Sequence, residues 1–226
     1  MAEGAVLALC ASRCAGTWPF SVATRLGGRV EADTPDHGIR ADLPAHAVAL
    51  CRRSGIEPCD IAEVRIDLGP GSYVGLRVAV TLARFLHREA GARLVAATSL
   101  ELMACAAARR HDLDGCTLHV LLDARRGRWH AQAVQVDPMR VAPLAPPLAL
   151  APAEALASLN AGSVVVADPA LHAGLAQVAI ERSLRLLAPE PVDAATLFDG
   201  RHCYTTSTNP QNQLVTRPQK QVIAGP

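Results

Sequence analysis

Lysine is nearly missing from this chain. Of its 226 residues 22 are basic, yet only Lys220 is lysine and the other 21 are arginine. We read that imbalance as codon bias rather than function. Acidic residues number 21, so the formal net charge is +1. No strongly basic surface is therefore expected to bind nucleic acid by electrostatics alone. No apolar run reaches the ~18 residues of a membrane-spanning helix. The opening Met1-Ala-Glu-Gly4 lacks the basic region and apolar stretch of a secretory signal. The cysteines (Cys10, Cys14, Cys51, Cys59, Cys105, Cys116 and Cys203) are odd in number, scattered, and form no C-x-x-C pair. That pattern predicts free thiols in a reduced, cytoplasmic compartment, with no membrane attachment.

Several chemistries are missing as well. The eight histidines include no two that are three or four residues apart, so there is no H-x-x-x-H or H-E-x-x-H zinc motif. We expect no thiol nucleophile among the cysteines. Neither G-x-x-x-x-G-K-[ST] nor G-x-G-x-x-G occurs. We expect no metal site and no catalytic residue.

What is present is a globular chain, 50% hydrophobic and 19% charged. Its length suits one large domain or two lobes. A strand is predicted at Ala5–Leu9. Phe20–Leu26 and Arg29–Ala32, joined by Gly27-Gly28, read as a hairpin. Asp33–Ile39 reads as a loop. A helix follows at Leu43–Ser54, with Asp42 as its cap and Pro44 in its first turn. Val64–Leu68 alternates as a strand, Gly69-Pro70-Gly71 breaks the chain, and Ser72 caps a long helix, Tyr73–Arg88. Leu94–Ala97 is a strand. Thr98-Ser-Leu-Glu101 is a capping box opening a helix to Arg110.

The pattern then restarts. Leu118–Leu122 is a strand ending at Asp123, Arg125–Arg128 a turn, and Trp129–Val136 another strand. Asp137–Pro152 is Pro-rich, with one short strand. Pro152–Leu159 is a helix, Val164–Ala167 a strand and Ala170–Ser183 a helix. The tail from Gly200 is polar and expected to be loosely ordered. The two halves share a pattern without matching residues, and we place a lobe boundary near residue 112: residues 1–111 in one lobe, 112–226 in the other.

Three features carry potential chemistry. Leu68-Gly-Pro-Gly-Ser-Tyr-Val-Gly-Leu-Arg77 is a strand, a glycine turn and a helix start. Either its free N–H groups hold an anion, with Arg77 adding charge, or it is a plain turn capped by Ser72. In the following helix the polar residues Arg77, Thr81, Arg84 and Arg88 form one narrow stripe. Its apolar arc exceeds the ~100° needed to lie on a sheet. The helix at Leu43–Ser54 behaves alike. Pro44, Ala47, Val48, Cys51, Leu76, Val80, Ala83 and Arg84 are the candidate contact residues; either a partner protein or the second lobe covers them. Asp123 sits at a strand's carboxyl end, where α/β sheets place ligands, or else starts a turn.

Gly69-Pro70-Gly71-Ser72-Tyr73-Val74-Gly75-Leu76-Arg77-Val78 resembles the hallmark GPGSFTGLRIG of the TsaB (YeaZ) family. Ser99-Leu-Glu101, Asp123-Ala-Arg-Arg-Gly127 and the Leu43–Val64 segment are similar to further family motifs, in order, over residues 40–135. The resemblance implies an actin-like, Hsp70-like ATPase fold (the ASKHA, RNase H-like class), with two related lobes, each a mixed sheet flanked by helices. It implies a non-catalytic subunit that pairs with a TsaD-type catalytic subunit. With a TsaE-type ATPase, the complex installs N6-threonylcarbamoyladenosine at position 37 of tRNAs. Gly69, Pro70, Gly71, Ser72, Gly75, Arg77 and Asp123 carry the family motifs, and the two apolar helices correspond to the family's dimer surface. On that reading the chain holds no cofactor of its own, and ATP is expected only in the assembled complex. It meets tRNA only through the complex, and is a homodimer when alone. The family's first strand usually ends in IDTS; here it reads Leu9-Cys-Ala-Ser12, without the Asp. The closing P-x-Y-L-R has only a faint echo at Leu214–Pro218. The alternatives are a small ATP-dependent kinase or ATPase of the same fold, and a repurposed homodimeric member. A peptidase, an old label for relatives of this family, lacks the spaced histidines.

Overall fold

The strand Ala5–Cys10 (β1) is buried along its whole length. Leu7 and Leu9 enter one core and Ala8 and Cys10 another, so β1 is central and covered on both faces. The computed structural model describes residues 4–12, 20–34, 42–199 and 205–206. Most of the Asp33–Ile39 loop, Leu214–Pro218 and, apart from 205–206, the tail from Gly200 lie outside the described residues.

β1 pairs antiparallel with Ser21–Leu26 (β2), and β2 with Arg29–Asp33 (β3). The predicted hairpin forms, with Gly27 and Gly28 both at positive φ. The helix Leu43–Arg53 (α1) follows, with Pro44 in its first turn. Asp42 stands at its N-cap but makes no side-chain cap; its carbonyl instead accepts the His46 N–H at 3.0 Å. Ile61–Asp67 (β4) lies parallel to β1, and Arg93–Ala97 (β5) parallel to β4. They are connected by the helix Tyr73–Ala90 (α2), which Ser72 caps as expected.

The helix Ser99–Arg110 (α3) opens with the predicted capping box of Thr98 and Glu101. Nine of its residues are buried, five of them Ala or Cys. The small side chains let one helix sit between two sheets, in a core shared with Ala8 and Ala23 on one side and Leu118, Val120 and Val134 on the other.

The second sheet repeats the first. Cys116–Asp123 (β6), Trp129–Asp137 (β7) and Arg140–Pro143 (β8) form an antiparallel meander, and Leu148–Leu150 (β9) also pairs with β7. After the short helix Pro152–Ala157 (α4), Val164–Ala167 (β10) lies parallel to β6. The helix Pro169–Glu181 (α5) leads to Arg185–Leu187 (β11), parallel to β10. The orders are β12-β5-β4-β1-β2-β3 and β11-β10-β6-β7-β8, where β12 is Thr205–Thr206, antiparallel to β5. Two segments differ from expectation: the Pro-rich stretch holds two short strands rather than one, and β11 was not anticipated.

After β11 the chain returns to the first sheet. Val192, Ala194 and Leu197 are buried in the central core. The Ala194 N–H donates to Ser21 Oγ at 2.8 Å, Arg65 Nη1 donates to the Leu197 carbonyl at 2.9 Å, and the guanidinium groups of Arg25 and Arg65 lie over the Phe198 ring. Among the described residues, no helix is long and apolar enough to cross a membrane.

Candidate functional site

The GPGS element closes over the end of β1. Gly69 has φ +84°, and the Gly69–Pro70 peptide is cis. The Gly69 carbonyl accepts the Ser99 N–H at 2.8 Å, and the Ser72 N–H donates to the Ser12 carbonyl. A Cβ on Gly71 would stand 2.2 Å from that Ser12 oxygen, so only glycine allows this approach. The Gly75 N–H donates to Ser72 Oγ at 3.3 Å. Of the two readings open in the sequence, the geometry is that of the capped turn.

Beneath the loop, the fully buried carboxyl of Asp67 accepts the Gly69 N–H and the Ser99 hydroxyl, both at 2.8 Å, and the Cys10 thiol at 3.5 Å. Burial raises its pKa, and these hydrogen bonds pull the other way. Glu101 is raised for the same first reason, desolvation, offset by its Thr98 hydrogen bonds. The strand end where the family carries Asp is thus occupied by a thiol turned onto an internal carboxyl. Among the described residues no group of three or more His, Cys, Asp or Glu could hold a metal ion. Asp67 was not singled out from the sequence. Its signal is an acidic residue ending a strand, one residue ahead of the Gly69-Pro70-Gly71 turn.

On the outer side of the first sheet lie α1 and α2. The structure corrects part of the expected contact surface. Ala47, Cys51 and Ala83 face inward and are buried in this sheet's own core. α2 settles on the sheet through Gly75, Ala79, Ala83 and Leu86, so small residues make up most of its inward side. Burial also pushes the Cys51 thiol pKa up. Pro44 and Val48 are exposed, and Leu76, Val80 and Arg84 are half-buried. The surface that remains is an open groove of about 530 Å³ lined by Pro44, Val74, Arg77, Val78, Thr81, Leu82 and Phe85. Val74 is 65% exposed and Phe85 58%. Beside it Tyr73, 72% exposed, lies under the Arg77 guanidinium at 5.4 Å. Val74 and Phe85 were passed over because periodicity alone does not say which apolar arc is outermost.

Asp123 ends β6, and its Oδ1 accepts the Arg125 N–H at 2.9 Å. The Asp123 N–H donates to Asp168 Oδ2 at 2.9 Å, and the buried Asp168 caps α5 through the Leu171 N–H. The turn closes with Ala124 N–H to the Arg128 carbonyl and Arg128 N–H to the Arg125 carbonyl. Arg125 and Arg126 hold φ of +62° and +52°, ahead of Gly127 at +71°. A left-handed backbone costs an L-residue about 1–2 kcal/mol, so the turn is strained at both arginines.

One β-meander-then-parallel order, used twice around a shared helix, defines a duplicated α/β protein of the actin-like class. Residues 40–181 match the family model described as TsaD: tRNA N6-adenosine threonylcarbamoyltransferase, and the chain belongs to that family. Over 100 residues it is 37% identical to the tRNA threonylcarbamoyladenosine biosynthesis protein TsaB of Bacillus subtilis (strain 168). That match spans 44% of this chain and 41% of the relative, less than half of either. YeaZ from Pseudomonas aeruginosa superposes with a TM-score of 0.66 at 19% identity, covering 87% of this chain and 89% of that one. A second structure, described as an uncharacterized protein with similarity to peptidase YeaZ from Pseudomonas aeruginosa, gives 0.67 with the same identity and coverage. The resemblance to TsaB (YeaZ) drawn from the GPGS, Ser-Leu-Glu and Asp-Ala-Arg-Arg-Gly motifs holds, and so does the fold it implied.

Proposed function

We propose that this chain is a non-catalytic subunit of the machinery that makes N6-threonylcarbamoyladenosine in tRNA. It pairs through α1 and α2 with a TsaD-type catalytic subunit and holds that subunit in its working form. The observation that carries the reading is the groove: a chain whose own core is complete leaves Val74 and Phe85 in water on its two-helix face. Interfaces of ordinary size bury about 800 Å² per partner, an area two helices can supply. The occupied end of β1, with Cys10 turned onto Asp67, supports a supporting rather than a hydrolytic role. A TsaE-type ATPase joins the assembly, tRNA is met only in the assembled complex, any ATP belongs to that assembly, and the compartment is the cytoplasm. Without a partner the same face pairs with a second copy.

The test is Phe85→Asp. A charge buried in an interface without a counter-ion costs several kcal/mol. The variant should therefore lose capture of the purified catalytic subunit by a hundredfold or more, each 1.4 kcal/mol being about tenfold. Because Phe85 is exposed on the protomer, the far-ultraviolet circular dichroism spectrum should stay unchanged. Unimpaired capture refutes the interface. Magnesium-dependent ATP hydrolysis by the isolated chain refutes the non-catalytic reading in favour of an ATPase of this fold.

A further inference from the structure

We infer that the Arg125-Arg126-Gly127-Arg128 turn contacts the phosphodiester backbone of the RNA on which the assembly works, a deepening that rests on the reading above. The chain is nearly neutral, so three arginines in four residues are a local exception. All of Arg125–Arg128 is exposed. Elsewhere the basic side chains are commonly paired: Arg29 with Glu31, Arg53 with Asp33, Arg110 with Glu190. Among the described residues, none of the three turn arginines meets an acid. Arg128 donates only to the neutral Ala149 carbonyl, so its charge is undiminished. Two acids at the base of the turn are spent on backbone. Asp123 takes the Arg125 N–H, and Asp168 is buried, accepting N–H groups of Asp123 and Leu171.

Those contacts also fix the turn. Asp123 is itself anchored to Asp168, so the arginines project from a held hairpin tip rather than a loose loop. Both Arg125 and Arg126 occupy left-handed backbone that glycine adopts without strain. Guanidinium groups suit phosphate because their planar donor fork matches its oxygens. A polyanion with repeated phosphates engages three such groups at once, which a single small anion does not.

The experiment uses the full chain assembled with its catalytic subunit and a labelled, unmodified tRNA transcript, read by fluorescence anisotropy across a salt series. Arg125→Glu with Arg126→Glu should weaken tRNA binding about tenfold or more, and flatten the log–log salt slope by about 1.5, the share of two phosphate contacts. Arg185→Glu, an exposed arginine on β11, should change either quantity by less than threefold. The variant Arg125→Gly with Arg126→Gly should also weaken binding while its melting temperature stays level or rises, which separates lost contact from lost fold. Equal losses in the turn and Arg185 variants, or an unchanged salt slope, overturn the assignment. Lost capture of the catalytic subunit by the turn variants, with wild-type capture intact, makes the turn a protein contact and overturns it too. If the wild-type chain captures no catalytic subunit, the underlying reading falls, and this inference with it.

Discussion

Gly75→Ala should destabilise this protein although it inserts a better helix former. Gly75 lies in α2 against the end of β1 and is buried. A Cβ there would stand 2.1 Å from the Ala11 carbonyl oxygen and 2.8 and 3.0 Å from two Phe20 ring carbons. Carbon and oxygen normally approach no closer than about 3.3 Å, so a methyl group requires about 1 Å of movement. Ala11 is fully buried and follows directly on β1, so its carbonyl cannot retreat; the helix must lift. Lifting loosens Ala79 and Ala83, both 0% exposed on the same face. Gaps of that size forfeit a quarter to a half of the dispersion energy, and overpacking typically costs about 1–3 kcal/mol. Alanine returns about 1 kcal/mol of helix propensity, which leaves a net loss of up to about 2 kcal/mol. At about 2–4 °C per kcal/mol for a chain of this size, the melting temperature should fall by up to about 8 °C. Thermal unfolding followed by far-ultraviolet circular dichroism measures it. Gly174→Ala, in α5, has nothing within 4 Å of the added carbon and should instead raise the melting temperature. If Gly75→Ala behaves as Gly174→Ala does, the close seating of α2 on β1 is refuted.

Two further substitutions test the polar groups. Asp123→Asn should lower stability by about 1 kcal/mol, the scale of one hydrogen bond, and leave turnover by the assembled complex within a few-fold. A thousandfold loss, about 4 kcal/mol of transition-state stabilisation, would put Asp123 in a shared active site. Asp67 has its pKa raised in the folded state, so its contribution is fully present below the unfolded value near 3.8 and is lost as pH rises through the folded one. Asp67→Asn removes that dependence while keeping an acceptor for Gly69 and Ser99. Urea midpoints of wild type should therefore fall relative to those of the variant between acid and neutral pH; parallel midpoints would mean that the buried carboxyl is not held against ionisation.

Much of this architecture is legible in the sequence because local signals agree with the tertiary outcome. Ser72 and Thr98 cap the helices they precede, and Gly27-Gly28 turns the hairpin. The repeat of strands and helices emerges as two sheets of like order. Legibility fails where the outcome depends on tertiary contact. Strand β11 has three residues and exists because β10 offers an edge. The turn at Ala194–Phe198 is held by Ser21, Arg25 and Arg65, all far away in sequence. The groove was half legible: the apolar excess on α1 and α2 is plain, but which arc faces water is decided by the small residues that let α2 sit close. Ala47, Cys51 and Ala83 were therefore assigned outward when they face in, and Val74 and Phe85 were missed.

The return of the chain to its first sheet has a consequence for biosynthesis. The ribosome releases β1 to β5 early, but the Ala194 N–H that Ser21 accepts, and the carbonyl and ring on which Arg65 rests, arrive only after the last strand of the second sheet. The edge of β5 is likewise covered by Thr205–Thr206. A nascent chain stalled before residue 190 therefore presents an open β-edge and an uncovered core face, the features by which quality-control chaperones and proteases select their clients. The first sheet is finished only after the whole second sheet has been made.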